Sequence, residues 1–490
     1  MVRTPKRLAS LCLHVVAGKA DEWLRSSLKQ TQDAGRFLYS IGGPFDTLSA
    51  DNFSDLIELL GKTGQLKGQM WPWLIHHSLV RLDLRVCRAL VNNAVIDLVA
   101  MRCKALKQLN ISGCSVSSSK VSDLLTALPS IKEIDISSCP NINDSLTLHI
   151  MKASCQLERI SINNCSKLTD NGIRVLFESP ACNTLTHINA SNTAISDATI
   201  ASILDRCSSL RSLIVSFCSE IANPFESVPS SRRLAIIELD MSVTCVSNFT
   251  IHTVCHLCPR LNQLNVSGPI DPNMLTDEVV TSLQSVSCLS QLGLAHCSSI
   301  HFPSLATMFR NGNLNMLVFL DLSAHINVDC ALIIRSCPVL QALVLDECRN
   351  VICCSDGSRS ALMPHKCLHH LSLKSAFFST NVDVRGTRQL STLLYAVPNV
   401  RRLYLDCMVD VCDDVVVEMV ASGKSLLYLE VLSLSGCGGV SNVSLDGIGD
   451  ELCFLEFLDV SHCVELSRLD MNEFREKMKK QGRAVEVKWR

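Results

Sequence analysis

Aromatic residues are scarce in this 490-residue chain, with Phe, Trp and Tyr together only 5%. That weakens any function built on base stacking. Charge of one sign is missing too. Lys plus Arg is 45 and Asp plus Glu 47, a formal net charge of −2. No global field therefore draws the chain to nucleic acid or an anionic membrane. No apolar run approaches the ~20 residues that span a bilayer. Neither nucleic acid nor membrane is an expected partner. Arg3, Lys6 and Arg7 precede a short apolar stretch at 8–17, as in a secretory signal, but His14 interrupts it and no small-x-small cleavage site follows. With 47% hydrophobic residues the chain can bury a sizeable core, which excludes a disordered chain.

Cysteine, by contrast, is abundant at 26 residues. Its placement follows an internal repeat. Leu79, Leu82, Leu84 and Cys87 recur as Leu106, Leu109, Ile111 and Cys114, and again as Ile131, Ile134, Ile136 and Cys139. Further copies open at Leu157, Leu210, Leu289, Leu340, Leu429 and Leu455, with degenerate ones at Leu185, Leu234, Leu261, Leu317, Leu368 and Val400. The first and last of these 15 starts lie 376 residues apart, a mean period near 27. The L-x-x-L-x-L segment is a short strand whose alternate residues enter a core. After Cys165, Asp170 is the expected N-cap of a helix carrying Ile173 and Leu176 on one face, and Asp144, Asp197, Asp277 and Asn442 sit comparably.

One such strand–turn–helix unit cannot bury its own apolar face, so units must stack. The fold class is α/β: a leucine-rich-repeat solenoid (horseshoe) with parallel concave strands and convex helices. The expected divisions are 1–75, a helical adaptor-binding or capping segment; 76–467, about 15 repeats; and 468–490, a C-terminal cap of a helix over 472–480 and a strand through Val485, Val487 and Trp489. Nine cysteines follow a strand (87, 114, 139, 165, 218, 297, 348, 437 and 463), and nine more precede one (103, 155, 182, 207, 258, 288, 337, 367 and 453). These repeat thiols should lie inside as small buried hydrophobes. Their number favours a reducing compartment, cytoplasmic and/or nuclear.

The pattern from Leu157 to Leu176 resembles the cysteine-containing leucine-rich-repeat family, typical of F-box/leucine-rich-repeat proteins and related receptors of cullin–RING ubiquitin ligases. Ahead of the repeats, Leu8, Cys12 and Val16 lie at i, i+4 and i+8. They resemble a BC-box that binds elongin C, and Leu48, Phe53 and Leu56 resemble the adjoining cullin-binding box. Arg7 and Ser49 stand where those boxes usually carry a small residue and a proline. The resemblance implies an elongin-C-type or Skp-type adaptor, a cullin and a protein substrate as partners. The alternative is that residues 8–60 only cap the first repeat, in a general interaction scaffold. An extracellular recognition protein would need cleavage near Ala17 and disulfides.

No chemistry-bearing motif survives inspection, so no enzyme and no cofactor is expected. Gly423-Lys424-Ser425 imitates the end of a P-loop, but Glu418 occupies the required first glycine. His252, Cys255 and His256 share a helical face near Cys258, and Cys353, Cys354, His365, Cys367, His369 and His370 cluster in an irregular segment. Repeat core and loop insertion explain both groups, and no metal is expected. The basic tail past residue 475 reads as a solvated helix face. Residues between the core leucines form a mixed concave wall with no dominant sign. Its candidate substrate contacts are Arg81, Arg85, Phe319, His370, Arg402, Tyr404 and Phe457, since aromatics and Arg dominate interface hot spots. The irregular loops within 349–398 are further candidates.

Overall fold

The computed structural model describes residues 8–33, 45, 48–146, 156–178, 180–312, 314–353, 363–379, 386–421 and 426–489. Cys155, Cys354 and the centres of the two predicted loop insertions lie outside the described residues. The chain divides into two compact units, residues 1–241 and 242–490.

The first unit opens with helix α1 (Leu8–Asp33) and helix α2 (Ala50–Lys62). Ser49 starts α2 by accepting the Asn52 amide at 3.4 Å. Phe53, Leu56, Ile57 and Leu60 recur at helical spacing and are all buried. Seven strands follow: β1 (Arg81–Asp83), β2 (Gln108–Asn110), β3 (Glu133–Asp135), β4 (Arg159–Ser161), β5 (His187–Asn189), β6 (Ser212–Ile214) and β7 (Glu238–Asp240). Each pairs in parallel with the next, centred on Leu82, Leu109, Ile134, Ile160, Ile188, Leu213 and Leu239. The central side chain points inward and its two neighbours outward, as the pleat requires.

The second unit repeats this plan. Its strands are β8 (Gln263–Asn265), β9 (Gln291–Gly293), β10 (Phe319–Asp321), β11 (Ala342–Val344), β12 (His370–Ser372), β13 (Arg402–Tyr404), β14 (Val431–Ser433), β15 (Phe457–Asp459) and β16 (Glu486–Lys488). All neighbours pair in parallel. The last helix, Arg468–Lys480, starts four residues earlier than expected, where Ser467 and Asp470 close a capping box.

Fourteen of the 15 expected starts hold their register. The exception is Leu234. The frames Leu234-x-x-Ile237-x-Leu239 and Ile236-x-x-Leu239-x-Met241 are equally apolar on paper. Pairing with β6 sets Leu239 opposite Leu213, so the copy begins at Ile236.

Cys87 and Cys114 donate to carbonyls of their own repeats, and the later cysteines that follow a strand join successive repeats. Cys139 Sγ donates to the Ile111 carbonyl (3.1 Å), Cys165 to Ile136 (3.3 Å), Cys348 to Leu322 (3.1 Å), Cys437 to Leu405 (3.1 Å) and Cys463 to Leu434 (3.1 Å). Each accepting carbonyl belongs to the preceding repeat. Burial pushes the thiols of Cys139, Cys348 and Cys437 up to about 12. They are neutral donors without nucleophilic character. His325 takes the same slot in its own repeat. It is buried, with Nδ1 on the Leu322 carbonyl at 3.0 Å, and burial lowers its pKa.

The thiols that precede strands divide. Cys103, Cys207, Cys258 and Cys337 are helix C-caps three residues before a repeat start and are buried. Cys288 and Cys453 are exposed and Cys367 is half-buried, because at one or two residues before the start the side chain turns outward. No two of the 24 described cysteines are joined to each other by a disulfide.

Of the expected caps, Asp277 holds the N-cap position of Glu278–Leu283, with its carboxylate on the His301 amide of the next repeat at 2.7 Å, while Asp170, Asp197 and Asn442 stand one residue inside their helices. Thr169 and Ser196 cap the helices Asp170–Phe177 and Asp197–Arg206. Asp170 instead accepts both the amide (2.8 Å) and the hydroxyl (2.9 Å) of Ser196 in the next repeat, and Asp144 does the same for Thr169. The aspartate belongs to the stacking interface, not to its own helix start.

From the second repeat on, the residue before the cysteine slot adopts the left-handed conformation, as at Gly113 (φ 73°), Ser138 (55°), Phe217 (59°) and Val243 (54°). This turn aims the amide of Val243 at the Ser267 carbonyl of the following repeat, 2.8 Å away. For a β-branched residue that conformation is strained. Val243→Gly keeps the amide bond and is expected to stabilise the second unit by about 1 kcal/mol, read as a higher urea midpoint. A lower midpoint would contradict the strain.

Candidate functional site

Helix α1 carries two faces. Leu13, Ala17 and Ala20 are buried, on the side that packs against α2. Cys12 is exposed, Val15 is 61% exposed and Val16 half-buried. Of the BC-box-like stripe, Cys12 therefore faces solvent and Val16 is half-buried, while the inward stripe is one the sequence pattern did not single out. The side chain of Leu8 lies outside the described residues.

The second half of the expected adaptor surface is different. Phe53 and Leu56 are fully buried. The Phe53 ring stacks on His76, with centroids 4.7 Å apart and planes 5° apart. They belong to the packing of α2 on the first repeat, so neither presents a docking face. Leu48 is half-buried, and its amide bonds the Phe45 carbonyl at 2.8 Å. An amphipathic helix ahead of a solenoid serves a cap or a partner equally well on paper, and here burial assigns α2 to the cap.

The outward strand residues make the wall of each unit. In the first unit Arg81 pairs with Asp51 at 2.9 Å, and Arg85 lies bidentate on Asp83 (Nη2 to Oδ2 2.8 Å, Nε to Oδ1 3.2 Å). Both guanidiniums are thus held by carboxylates. The acidic third residues also fold back on their own chain. Asp83, Asp135 and Asp321 accept the amide two residues on, at 3.0 Å each. Asn110, Asn189 and Asn265 do likewise at 3.0–3.1 Å, which explains why asparagine recurs there.

In the second unit the ladder places His370 opposite Arg402, and the His370 and Tyr404 rings are 5.4 Å apart. Lys374, two residues past β12, lies with Nζ 4.8 Å from the Tyr404 ring centroid. Burial, then the Arg402 charge, holds the His370 ring below the usual histidine range. Phe319 and Phe457 stand two strands away on either side, roughly 10 Å from this cluster at the usual strand spacing. Four of the named contacts therefore form a loose aromatic–cation row around Tyr404. The rim of this unit also exposes Val409 and Val464, each 80% exposed, and Phe377, 47%. No periodic signal marks those three in the sequence.

Among the described residues no group of three or more His, Cys, Asp or Glu is placed to hold a metal ion. Cys255 and Cys258 are buried whereas His252 and His256 are exposed, so they do not converge. His365 is buried, with Nε2 on the Cys337 carbonyl at 2.8 Å.

No family model matches the chain. A curated relative, the BTB/POZ domain-containing protein FBL11 of Arabidopsis thaliana, is 24% identical over 383 residues, covering 74% of this chain and 34% of that protein. The chain thus spans about a third of that relative's length. Among solved structures, a chain of the yeast Rad7 and Elc1 complex matches with a TM-score of 0.52 at 16% identity, over 95% of this chain and 96% of that one. An internalin of Listeria monocytogenes gives a TM-score of 0.42 at 15% identity, over 75% and 98%. Period, parallel ladders and the likeness in fold make this chain a leucine-rich-repeat solenoid, with a recurrent cysteine slot after its strands.

Proposed function

We propose that the chain is a non-catalytic substrate-recognition subunit of a cullin–RING E3 ubiquitin ligase. Helix α1 docks on an elongin-C-type adaptor through Leu8, Cys12 and Val16, the adaptor recruits a cullin, and the repeat walls hold a protein substrate. The observation that carries this is the outward stripe of α1. With Cys12 and Val15 in solvent and Val16 half-buried beside a face already used for packing, α1 has the form of a helix-in-groove element. The yeast chain of similar fold comes from a complex of Rad7 and Elc1, which suggests the adaptor type. A Skp-type adaptor is the rival within this proposal. Abundant free thiols support a reducing site of action, cytoplasmic and/or nuclear.

The test is co-purification of the full chain with elongin C and Skp-type adaptors. Cys12→Glu/Val16→Lys is expected to reduce elongin C recovery at least tenfold while leaving the unfolding midpoint unchanged, because both positions are outside the core. Equal recovery by wild type and variant, or no adaptor with wild type, overturns it. In that event the second proposal, a general interaction scaffold with residues 1–75 as its cap, takes over; it draws on the burial of Phe53 and Leu56.

A further inference from the structure

We propose that the strand face of the first unit holds an extended, Lys/Arg-rich segment of the protein substrate. This rests on the repeats being a substrate-holding surface, and it adds the chemistry of what is held. A groove of about 670 Å³ runs along β1–β7. Asp55, Glu58, Asp83, Glu133, Asp135 and Glu238 line it, against two guanidiniums in the lining, Arg81 and Arg159. Lys62 and Arg85, outside the lining, pair with Glu58 and Asp83, so Asp55, Asp135 and Glu238 are the carboxylates not held in an ion pair among the described residues. The whole chain is almost neutral, so this excess is local, and the fold collects it from four separate elements, α2, β1, β3 and β7.

The two guanidiniums offer little compensation. Arg81 is drawn to Asp51, which is not part of the lining, at 2.9 Å. Arg159 lies 3.5 Å from Glu133. Burial, then Arg159, holds His187 below the usual histidine range, so at neutral pH it adds no cation.

No aromatic side chain other than His187 lines the groove, so aromatic anchoring of an apolar ligand is not provided for. Gln108, Asn110, Ser161 and Asn189 supply amides and hydroxyls for a peptide backbone. Six steps between strands at ~4.8 Å give roughly 29 Å, the length of about nine extended residues.

The probe is a nine-residue fluorescent peptide alternating Lys, Ser and Arg, with a Glu-substituted counterpart, titrated against the full chain by anisotropy at low and moderate salt. Wild type is expected to prefer the basic peptide, with affinity falling as salt rises. Asp55→Asn/Glu133→Gln/Glu238→Gln should weaken it about tenfold and flatten the salt dependence. A photoreactive version of the peptide should cross-link within residues 81–240. Equal binding of both peptides, unchanged binding by the triple variant, or cross-links confined to 242–490 overturns the proposal. Should the triple variant fail to fold, the wild-type cross-link map decides alone. The adaptor variant Cys12→Glu/Val16→Lys keeps the groove. Peptide binding without adaptor recovery thus defeats the ligase assignment and leaves this one standing, and the reverse result does the opposite.

Discussion

Phe53→Ala is expected to cost about 3–5 kcal/mol, the usual range for truncating a buried phenylalanine. The ring is fully buried and stacked on His76, at the junction of α2 with the first repeat. Its loss leaves a void and removes the cover from the open end of the array, where Leu79 and Leu82 are otherwise shielded. The measurement is urea unfolding followed by tryptophan fluorescence, since Trp71 and Trp73 flank the same junction and Trp71 Nε1 bonds the Leu90 carbonyl at 3.1 Å. The contrast with Cys12→Glu/Val16→Lys is informative. One substitution should unfold and the other should not, which separates capping from docking within one short segment. A shift below about 1 kcal/mol for Phe53→Ala would return α2 to the docking surface.

The second large effect is expected at Asp413, the first residue of helix Asp413–Ala421. Its carboxylate accepts the Ser441 amide (2.9 Å) and hydroxyl (2.6 Å), and the Ser444 amide (3.2 Å) and hydroxyl (2.5 Å), all from the next repeat. Ser444 is fully buried. Asp413→Ala leaves those donors without an acceptor and should cost about 2 kcal/mol. Burial alone would raise this carboxyl, but the bonds from Ser441 and Ser444 outweigh it and hold the group below the usual aspartate range. A depressed folded value stabilises above the unfolded value, near 3.9, and that contribution fades as pH falls through the folded value. The gap between wild type and variant should therefore be wide at pH 7 and narrower at pH 3. Equal gaps at both pH values would show that the serines do not depend on the ionised carboxylate.

Asp413, Asp170 and Asp144 illustrate one limit of a linear sequence. An aspartate before an apolar 3.6-residue period is the ordinary sign of an N-cap, and the helices do begin there. Yet the oxygens are spent on the next repeat, because stacking brings that repeat's own Ser or Thr cap within reach of the carboxylate. Phe53 and Leu56 show another. The spacing that makes a helix face apolar is identical whether the face meets its own chain or a second protein. The frame at Leu234 shows a third: two apolar frames two residues apart share the same inward parity, and only the partner strand distinguishes them.

The repeat period, the parallel strands, the inward leucines and the inward thiols of the cysteine slot follow from the sequence by itself. They depend on local periodicity, which a chain carries in its own order of residues. Which face of α1 stays in water, which aspartates bridge repeats and where six carboxylates gather along one groove were decided only in the folded molecule. These depend on residues roughly 25 positions or more apart becoming neighbours about 5 Å away, and stacking sets that distance rather than composition.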